Sequence, residues 1–191
     1  DVINSNSIPT SKNVWDVKVP LKIKVFMWFV HKQVILTKDN LIKRNWTGPT
    51  RCSFCDRDET IKHLFLDCPL AKVLWRTVHI AFNITPPNSV NTLFGTWLNG
   101  IEPDLARHIR VGVCALLWTI WTCRNDLVFN RTSRIHFLQV IFRATAVIRS
   151  WSLLTPMEAR EHLVTGSIRW EMVARDIFNR FGWRSCNRIG N

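Results

Sequence analysis

The sequence has no tyrosine, few acidic residues and no long hydrophobic run. Its longest apolar run covers residues 111–121, about half of the length that a bilayer crossing requires, and Arg110 and Arg124 flank it. No transmembrane helix is therefore expected. The N-terminal residues also lack the basic and apolar parts of a secretory signal, which favours an intracellular protein, in the nucleus or the cytoplasm, with reduced cysteines. Because the first residue is not methionine, we expect the chain to be part of a longer protein.

The sequence also lacks the residue patterns of the common catalytic sites. Two-metal polymerisation or RNA cleavage requires several carboxylates that converge on Mg²⁺. Here no two aspartates are adjacent, and the 14 acidic residues are mostly scattered singly or spaced for pairing with arginine on helices. We find no glycine-rich phosphate loop and no Ser-His-Asp or Cys-His nucleophile arrangement. The chain is therefore interpreted as a non-enzyme.

Basic residues outnumber acidic ones by 26 to 14, which gives a formal charge of +12. The excess is concentrated between Lys12 and Arg51, where nine basic residues accompany only Asp16 and Asp39, so this basic segment carries +7. Such an excess favours polyanionic partners, of which nucleic acid is the commonest. The alternative is a basic protein whose charge only keeps it in solution.

Hydrophobic residues make up 47% of the chain, enough for a packed core, and ten Trp and eleven Phe make that core bulky. Apolar residues recur at helical spacing, and no alternating segment bounded by hairpin turns stands out. The predicted fold class is therefore all-α, a helical bundle. The predicted helices cover residues 21–34, 38–45, 69–82, 90–98, 104–129, 134–154 and 167–181.

The stretch "ITPPNSV" interrupts the helical pattern and is interpreted as a domain boundary. It divides the chain into an N-terminal module, a linker and a helical C-terminal region, which cover residues 14–83, 84–90 and 91–191 respectively.

The helix predicted after Pro20 is apolar on nearly all sides. Trp28 and Phe29 lie on one predicted face, and Met27 and Val30 lie on another. Such a helix must be covered on two sides, so part of its surface is expected to dock on a neighbouring domain. On this hypothesis, a polar substitution of Trp28 or Met27 would improve solubility without unfolding the N-terminal module.

Three of the six cysteines and one histidine fall within residues 51–68, "RCSFCDRDETIKHLFLDC". Their spacing, Cys52-x2-Cys55-x7-His63-x4-Cys68, offers the four ligands of a tetrahedral zinc site, and a site closed by four protein ligands is structural. Residues five apart differ by about 140° on an α-helix, so the helix that carries His63 and Cys68 is expected to end or tighten near Asp67. The prediction adds a small structural zinc-binding loop module to the helical bundle.

Two alternatives to zinc remain for this cluster: ordinary buried thiols with a core histidine, or a redox CxxC, although the βαβ context of a redox motif is missing. Cys114 and Cys123 are predicted to lie on opposite faces of one helix as core thiols, and Cys186 has no ligand-like neighbours.

The stretches "WDVKVPLKIKVFMWFVHKQVILTKDNLIKRN", "CSFC" and "ETIKHLFLDCPLAKVLW" carry a family resemblance. Over residues 14–75 the chain resembles the zinc-binding region at the C-terminal end of plant LINE-type (non-LTR) retrotransposon reverse transcriptases. "LFGTWL" and "LLWTIWTCRNDLVFN" are similar to the helical stretch that follows it. The resemblance implies zinc ligands at Cys52, Cys55, His63 and Cys68. It also implies a preceding polymerase domain, which this chain lacks, and a role in handling template RNA or target DNA.

These observations lead to a zinc-stabilised nucleic-acid-binding module as the first hypothesis, with RNA or single-stranded DNA as the partner. The predicted phosphate contacts are Lys18, Lys22, Lys24, Lys32, Lys38, Lys43, Arg44 and Arg51. Trp46 and Phe54 could stack on unpaired bases, against the alternative of simple packing. A second hypothesis is a protein-interaction module that docks on a polymerase domain or another partner through its first helix. A third is a transposon-derived reading frame that has kept no role.

Overall fold

The structure is a computed structural model that describes residues 14–93 and 95–182. Residues 14–16 are helical, and the α-helices that follow are α1 (Leu21–His31), α2 (Lys38–Ile42), α3 (Pro69–Phe82), α4 (Pro103–Val128), α5 (Phe137–Ser152) and α6 (Met157–Phe181). A π-helical turn (His63–Asp67) precedes α3, and two 3-10 turns (Val90–Thr92 and Thr96–Leu98) precede α4. In these ranges, the pairing that resembles a strand is one isolated antiparallel bridge between Arg51 and Asp58. The predicted all-α fold is confirmed.

The helix starts follow from proline and from polar capping side chains. Pro69 and Pro103 occupy the first position of α3 and α4, where a missing backbone N–H costs nothing. The Glu102 carboxylate accepts the backbone N–H groups of Asp104 and Leu105 at 3.0 and 2.8 Å.

Among the helices that the structure describes, none combines the length and the hydropathy that a membrane crossing requires.

Several predicted helices are longer than the observed ones. α1 ends at His31 instead of residue 34, because Gln33 adopts a left-handed backbone with φ of 58°. α2 ends at Ile42 instead of residue 45, and Asn45 is left-handed with φ of 64°. The helix predicted over residues 90–98 is two separate 3-10 turns. Apolar spacing therefore located these elements but not their ends.

The last helix is longer than predicted. It begins at Met157 instead of residue 167, and Thr165 and Gly166 lie within it. Its buried side chains recur three or four residues apart, beginning at Leu163 and continuing through Ser167 and Trp170. The helix continues through Gly166 because the apolar stripe on either side is packed against the core.

The buried face of α1 also differs from the expectation. Met27 is fully buried, with 0% of its surface exposed, so the expectation that a polar substitution there would be tolerated is wrong. Trp28 is half-buried, while Leu21 and Phe29 are exposed. The buried residues of α1 are Ile23, Phe26, Met27 and Val30. α1 packs on α4, where the rings of Phe26 and Trp118 meet edge to face with centroids 5.2 Å apart. Only part of the apolar surface of α1 is therefore exposed to solvent.

α4, α5 and α6 pack side by side, and α3 packs against α6. The buried apolar side chains form one hydrophobic cluster that extends from Val14 to Ala174 and includes both Cys114 and Cys123. The cluster contains residues from both sides of the segment 84–90. The division of the chain into residues 14–83, 84–90 and 91–191 stays a prediction.

Candidate metal centre

A short hairpin-like loop presents the first two cysteines. Cys52 N–H donates to the Arg57 carbonyl at 2.7 Å, and Glu59 N–H donates to the Thr50 carbonyl at 3.0 Å. These bonds close the chain on either side of the Arg51–Asp58 bridge. Cys52 and Cys55 are thereby held in the closed end of the loop.

A π-helical turn presents the other two residues. Cys68 N–H donates to the carbonyl of His63, five residues earlier, at 2.7 Å. A π-turn takes in one residue more than an α-turn, so residues five apart approach the same face. The helix ends at Asp67 as expected, since Cys68 has a ψ of 139°, but the turn before this end is wider than an α-turn. Pro69 then begins α3, and the Thr60 hydroxyl accepts His63 N–H at 3.0 Å.

The ligand atoms of Cys52, Cys55, His63 and Cys68 all lie within 4.8 Å of one another. The Cys55 and Cys68 sulfurs are 3.9 Å apart, and the Cys55 sulfur is 3.1 Å from His63 Nε2. Two thiolates about 2.3 Å from one zinc ion would lie about 3.8 Å apart at tetrahedral corners, so the arrangement fits zinc. The structure brings together the four residues that the spacing predicts as ligands.

The pKa values of the three cysteines in this cluster show how closely their thiols interact, and this interaction favours a bound cation. The Cys68 thiol donates toward the Cys52 sulfur and lowers the pKa of Cys52 to about 4, with further contributions from His63 and from Phe54 N–H. That same hydrogen bond, together with burial, raises the pKa of Cys68. Burial raises the pKa of Cys55. Three thiolates cannot be held together without a balancing charge, and a divalent cation supplies one.

Two comparisons with known proteins bear on this cluster. Residues 3–75 match the family described as zinc-binding in reverse transcriptase. The resemblance seen in the sequence is thus confirmed, and the cofactor of this zinc-binding region is zinc. A relative named "Putative ribonuclease H protein", from Arabidopsis thaliana, is 30% identical over 63 residues, which are 32% of this chain and 10% of the relative. The chain thus matches about a tenth of that relative's length. No solved structure matches the chain.

A buried ion pair joins the zinc-binding region to the long helix α4. Glu59 and Arg124 have side chains 0% and 5% exposed, and Arg124 Nη2 lies 2.6 Å from Glu59 Oε1. Glu59 Oε1 also accepts the backbone N–H of Lys38 at 3.0 Å, at the start of α2. One carboxylate therefore connects the cysteine loop, α2 and α4.

Most of the predicted phosphate-contacting cations are exposed. The exposed ones are Lys18, Lys22, Lys32, Lys43, Arg44 and Arg51. Lys24 and Lys38 are half-buried and donate to the backbone carbonyls of Trp15 and Arg51. Lys43 pairs with Asp39, 3.8 Å away, and Arg51 lies 4.0 Å from Asp56. The side-chain amines of Lys24 and Lys38 therefore already donate hydrogen bonds within the chain. Lys43 and Arg51 have acidic neighbours within it.

The two predicted stacking residues have packing partners. The Trp46 indole covers Gly48 so closely that a Cβ placed there would be 1.9 Å from Trp46 Cζ2. Trp46 still exposes 37% of its surface. Phe54 is half-buried and packs against the hydrophobic core. Base stacking by either ring stays a prediction.

Sequence reasoning missed two features around the zinc-binding region. The first is the Glu59–Arg124 pair, since nothing in the sequence links residues 65 positions apart. The second is a surface groove of about 420 Å³ whose floor includes Leu66 and Trp75. Basic groups line this groove, namely Lys72, Arg76 and His79. Their spacing of three or four residues after Pro69 was a usable signal of one helix face.

Proposed function

We propose that the chain is a non-catalytic, zinc-stabilised nucleic-acid-binding part of a reverse-transcriptase-type protein, with RNA or single-stranded DNA as its partner. Cys52, Cys55, His63 and Cys68 hold the zinc, which ties the cysteine loop to the π-turn. Four protein ligands leave no position for a reactive water, which supports a structural role. We place this protein in the nucleus or the cytoplasm.

The observation that carries the nucleic-acid proposal is the exposure of basic side chains in the basic segment, which precedes the zinc site in the chain. Lys18, Lys32 and Arg44 are exposed and have no ion pair within the described ranges. The basic segment carries +7, while three thiolates with one zinc ion add only one negative charge. The basic segment therefore keeps a net positive charge in the metal-loaded protein, and this charge is expected to attract phosphates.

Salt dependence tests the proposal directly. Four or five phosphate contacts predict a fall of log affinity for single-stranded RNA with log salt at a slope of roughly 3 to 4, at about 0.7 per contact. Lys18→Glu, Lys32→Glu and Arg44→Glu combined should weaken binding to all base sequences alike and flatten the slope, because phosphate contacts carry no base information.

The matched control reverses the same number of exposed charges without an ion pair in the described C-terminal region, at Arg134, Arg169 and Arg175. This control variant has the same net charge, so it separates a local surface from the overall field. Binding that ignores salt, or that falls equally in both triple variants, would contradict a phosphate-contacting surface in the basic segment.

A second candidate is docking on a polymerase domain or another protein, and the observation that favours it is apolar exposure around α1. Leu21, Phe29 and Leu36 expose 68%, 41% and 44% of their surfaces. Leu21→Glu with Phe29→Gln should reduce self-association and dye binding while leaving the zinc content unchanged. Ile80→Gln, at another exposed apolar position, is the control. A wild-type chain that is monodisperse and binds no dye through α1 would exclude this candidate.

A further inference from the structure

A cavity of about 420 Å³ lies between α3, α4 and α6. Its wall includes buried side chains from all three helices, among them Val78, Leu116 and Leu163, which expose 9%, 1% and 5%. None of the four zinc-ligating candidates lines it. The cavity is therefore a site separate from the metal centre.

Two glycines inside helices keep the cavity open. A Cβ added at Gly112 of α4 would meet nothing within 4 Å, and one added at Gly166 of α6 would meet only Phe82, at 3.8 Å. Glycine inside a helix is less favourable than alanine. Neither glycine has positive φ, and neither allows a close approach of another chain segment. The effect of the two glycines is to leave space in the cavity that larger side chains would fill.

The interior of the cavity offers almost no free hydrogen-bonding group. Trp75 Nε1 donates to the Phe65 carbonyl and Trp170 Nε1 donates to the Thr77 hydroxyl, both at 2.7 Å. A nucleobase placed there would lose water without gaining partners. The occupant must therefore present an apolar body to the interior.

The charged and polar lining residues include two carboxylates that have partners within the chain and one arginine that has no ion pair among the described residues. Glu102 caps the start of α4, and Asp104 pairs with Arg107 at 2.7 Å. His108 and His162 lie with ring centroids 5.5 Å apart, and burial together with His162 holds the pKa of His108 below its ordinary value. Arg169 lines the same cavity, is exposed, and has no ion pair in the described part of the chain. The cavity lining thus has a cationic group and imidazole N–H groups available for an anion.

We propose that this cavity binds an amphipathic anion, a molecule with an apolar body in the space above Gly112 and Gly166 and one carboxylate or sulfonate beside Arg169. The volume sets the size of the body. An apolar cavity of about 150 Å³ holds benzene, so about 420 Å³ accommodates an aromatic system of two or three rings or an alkyl chain of similar bulk.

The probe for the test is 1-anilinonaphthalene-8-sulfonate, which combines a polycyclic apolar body with one sulfonate and fluoresces in apolar surroundings. The zinc-loaded full chain is expected to bind it at one site. Gly112→Leu should weaken binding by about tenfold or more, because the side chain occupies the cavity. Arg169→Glu should weaken it by about threefold to tenfold while leaving the fluorescence of the bound dye unchanged.

The control is Met172→Glu, which adds a charge at an apolar position of α6 that is 65% exposed and outside the cavity. This variant should bind the probe like the wild type, and a loss of binding in it would assign the dye to the surface and overturn the proposal. Gly112→Ala controls for a folding defect, because alanine favours the helix and fills less of the cavity than leucine does. This variant should melt at a higher temperature than the wild type and bind the probe more weakly. Undiminished binding in both Gly112 variants would also overturn the proposal.

Discussion

The zinc-binding region and the C-terminal helices are held together by different interactions. Around the cysteine loop and the π-turn, polar or metal-binding groups such as Glu59, His63 and Cys68 are buried beside apolar side chains such as Leu64 and Phe65. In α5 most of the fully buried positions are apolar, for example Phe137 and Ile141, each with 0% exposed, and Thr145 is a polar exception. The loop therefore depends on specific partners for its buried groups, whereas α5 depends on apolar burial that no single partner controls.

The two regions nevertheless share a boundary of defined contacts. Glu59 reaches Arg124 of α4, and Thr77 of α3 accepts a hydrogen bond from Trp170 of α6. We infer that loss of the metal first disorders the cysteine loop and reaches the helical bundle through these contacts and through the shared hydrophobic cluster. Each prediction below tests one part of that comparison.

Removing zinc should have the largest effect, because metal binding supplies folding free energy of about 10 kcal/mol or more in small closed sites. We expect one zinc per chain by elemental analysis. Chelation should abolish hydrogen-exchange protection in residues 46–68 while α5 and α6 keep theirs. Cys55→Ala should lose the metal, and Cys114→Ala, at a buried cysteine of α4, should retain it.

Two outcomes would contradict this prediction. Full zinc occupancy in Cys55→Ala would disprove the assignment of this ligand. Equal loss of protection in α5 and in the loop would show that the two regions unfold as one unit.

Breaking the Glu59–Arg124 pair should have the next largest effect. Glu59→Ala leaves Arg124 buried without its counter-charge, so the free energy of unfolding should fall by about 3–5 kcal/mol in urea titrations of the zinc-loaded chain. Asp176→Ala removes an exposed partner of Arg180 and should cost less than about 1 kcal/mol. The double variant Glu59→Ala with Arg124→Met should be more stable than Glu59→Ala alone; strictly additive losses would show that the pair is not coupled.

The sequence predicted the all-α fold and the four clustered ligand candidates because both depend on short-range patterns. Helical spacing identifies α3 within one segment, and the cysteines and histidine lie within seventeen residues of one another. The spacing predicted the end of the helix near Asp67, but it did not predict that the turn before this end is a π-turn. Backbone hydrogen bonding between His63 and Cys68 decides the type of this turn.

The remaining features depend on tertiary contacts. The burial of Met27 depends on elements far along the chain that pack against α1, and the early start of α6 follows from the burial of Leu163. The cavity beside Gly112 is set by the spacing of three helices. No local pattern reports these distances, since each one joins residues far apart in the chain.

The hydrogen bond between α3 and α6 gives a smaller test of the shared boundary. Thr77→Val keeps the side-chain shape but leaves Trp170 Nε1 buried without an acceptor, so we expect a loss of about 1–3 kcal/mol. Thr122→Val is the control, because its half-buried hydroxyl donates only to the Thr119 carbonyl, one turn earlier. Equal losses in the two variants would indicate that the contact with Trp170 contributes nothing specific.

The smallest expected effect concerns the start of α5, in the region that depends on apolar burial. His136 Nδ1 accepts the backbone N–H of Leu138 at 3.2 Å, which requires a neutral ring, and burial lowers the pKa of His136. Because the folded pKa lies below the unfolded one, the contribution of His136 is complete above about pH 6.5 and is lost as the pH falls through the folded pKa. His136→Asn keeps a capping side chain that does not titrate. The melting temperature of this variant should therefore decline less between pH 7 and pH 5 than that of the wild type, and parallel declines would show that His136 is not a source of the acid sensitivity.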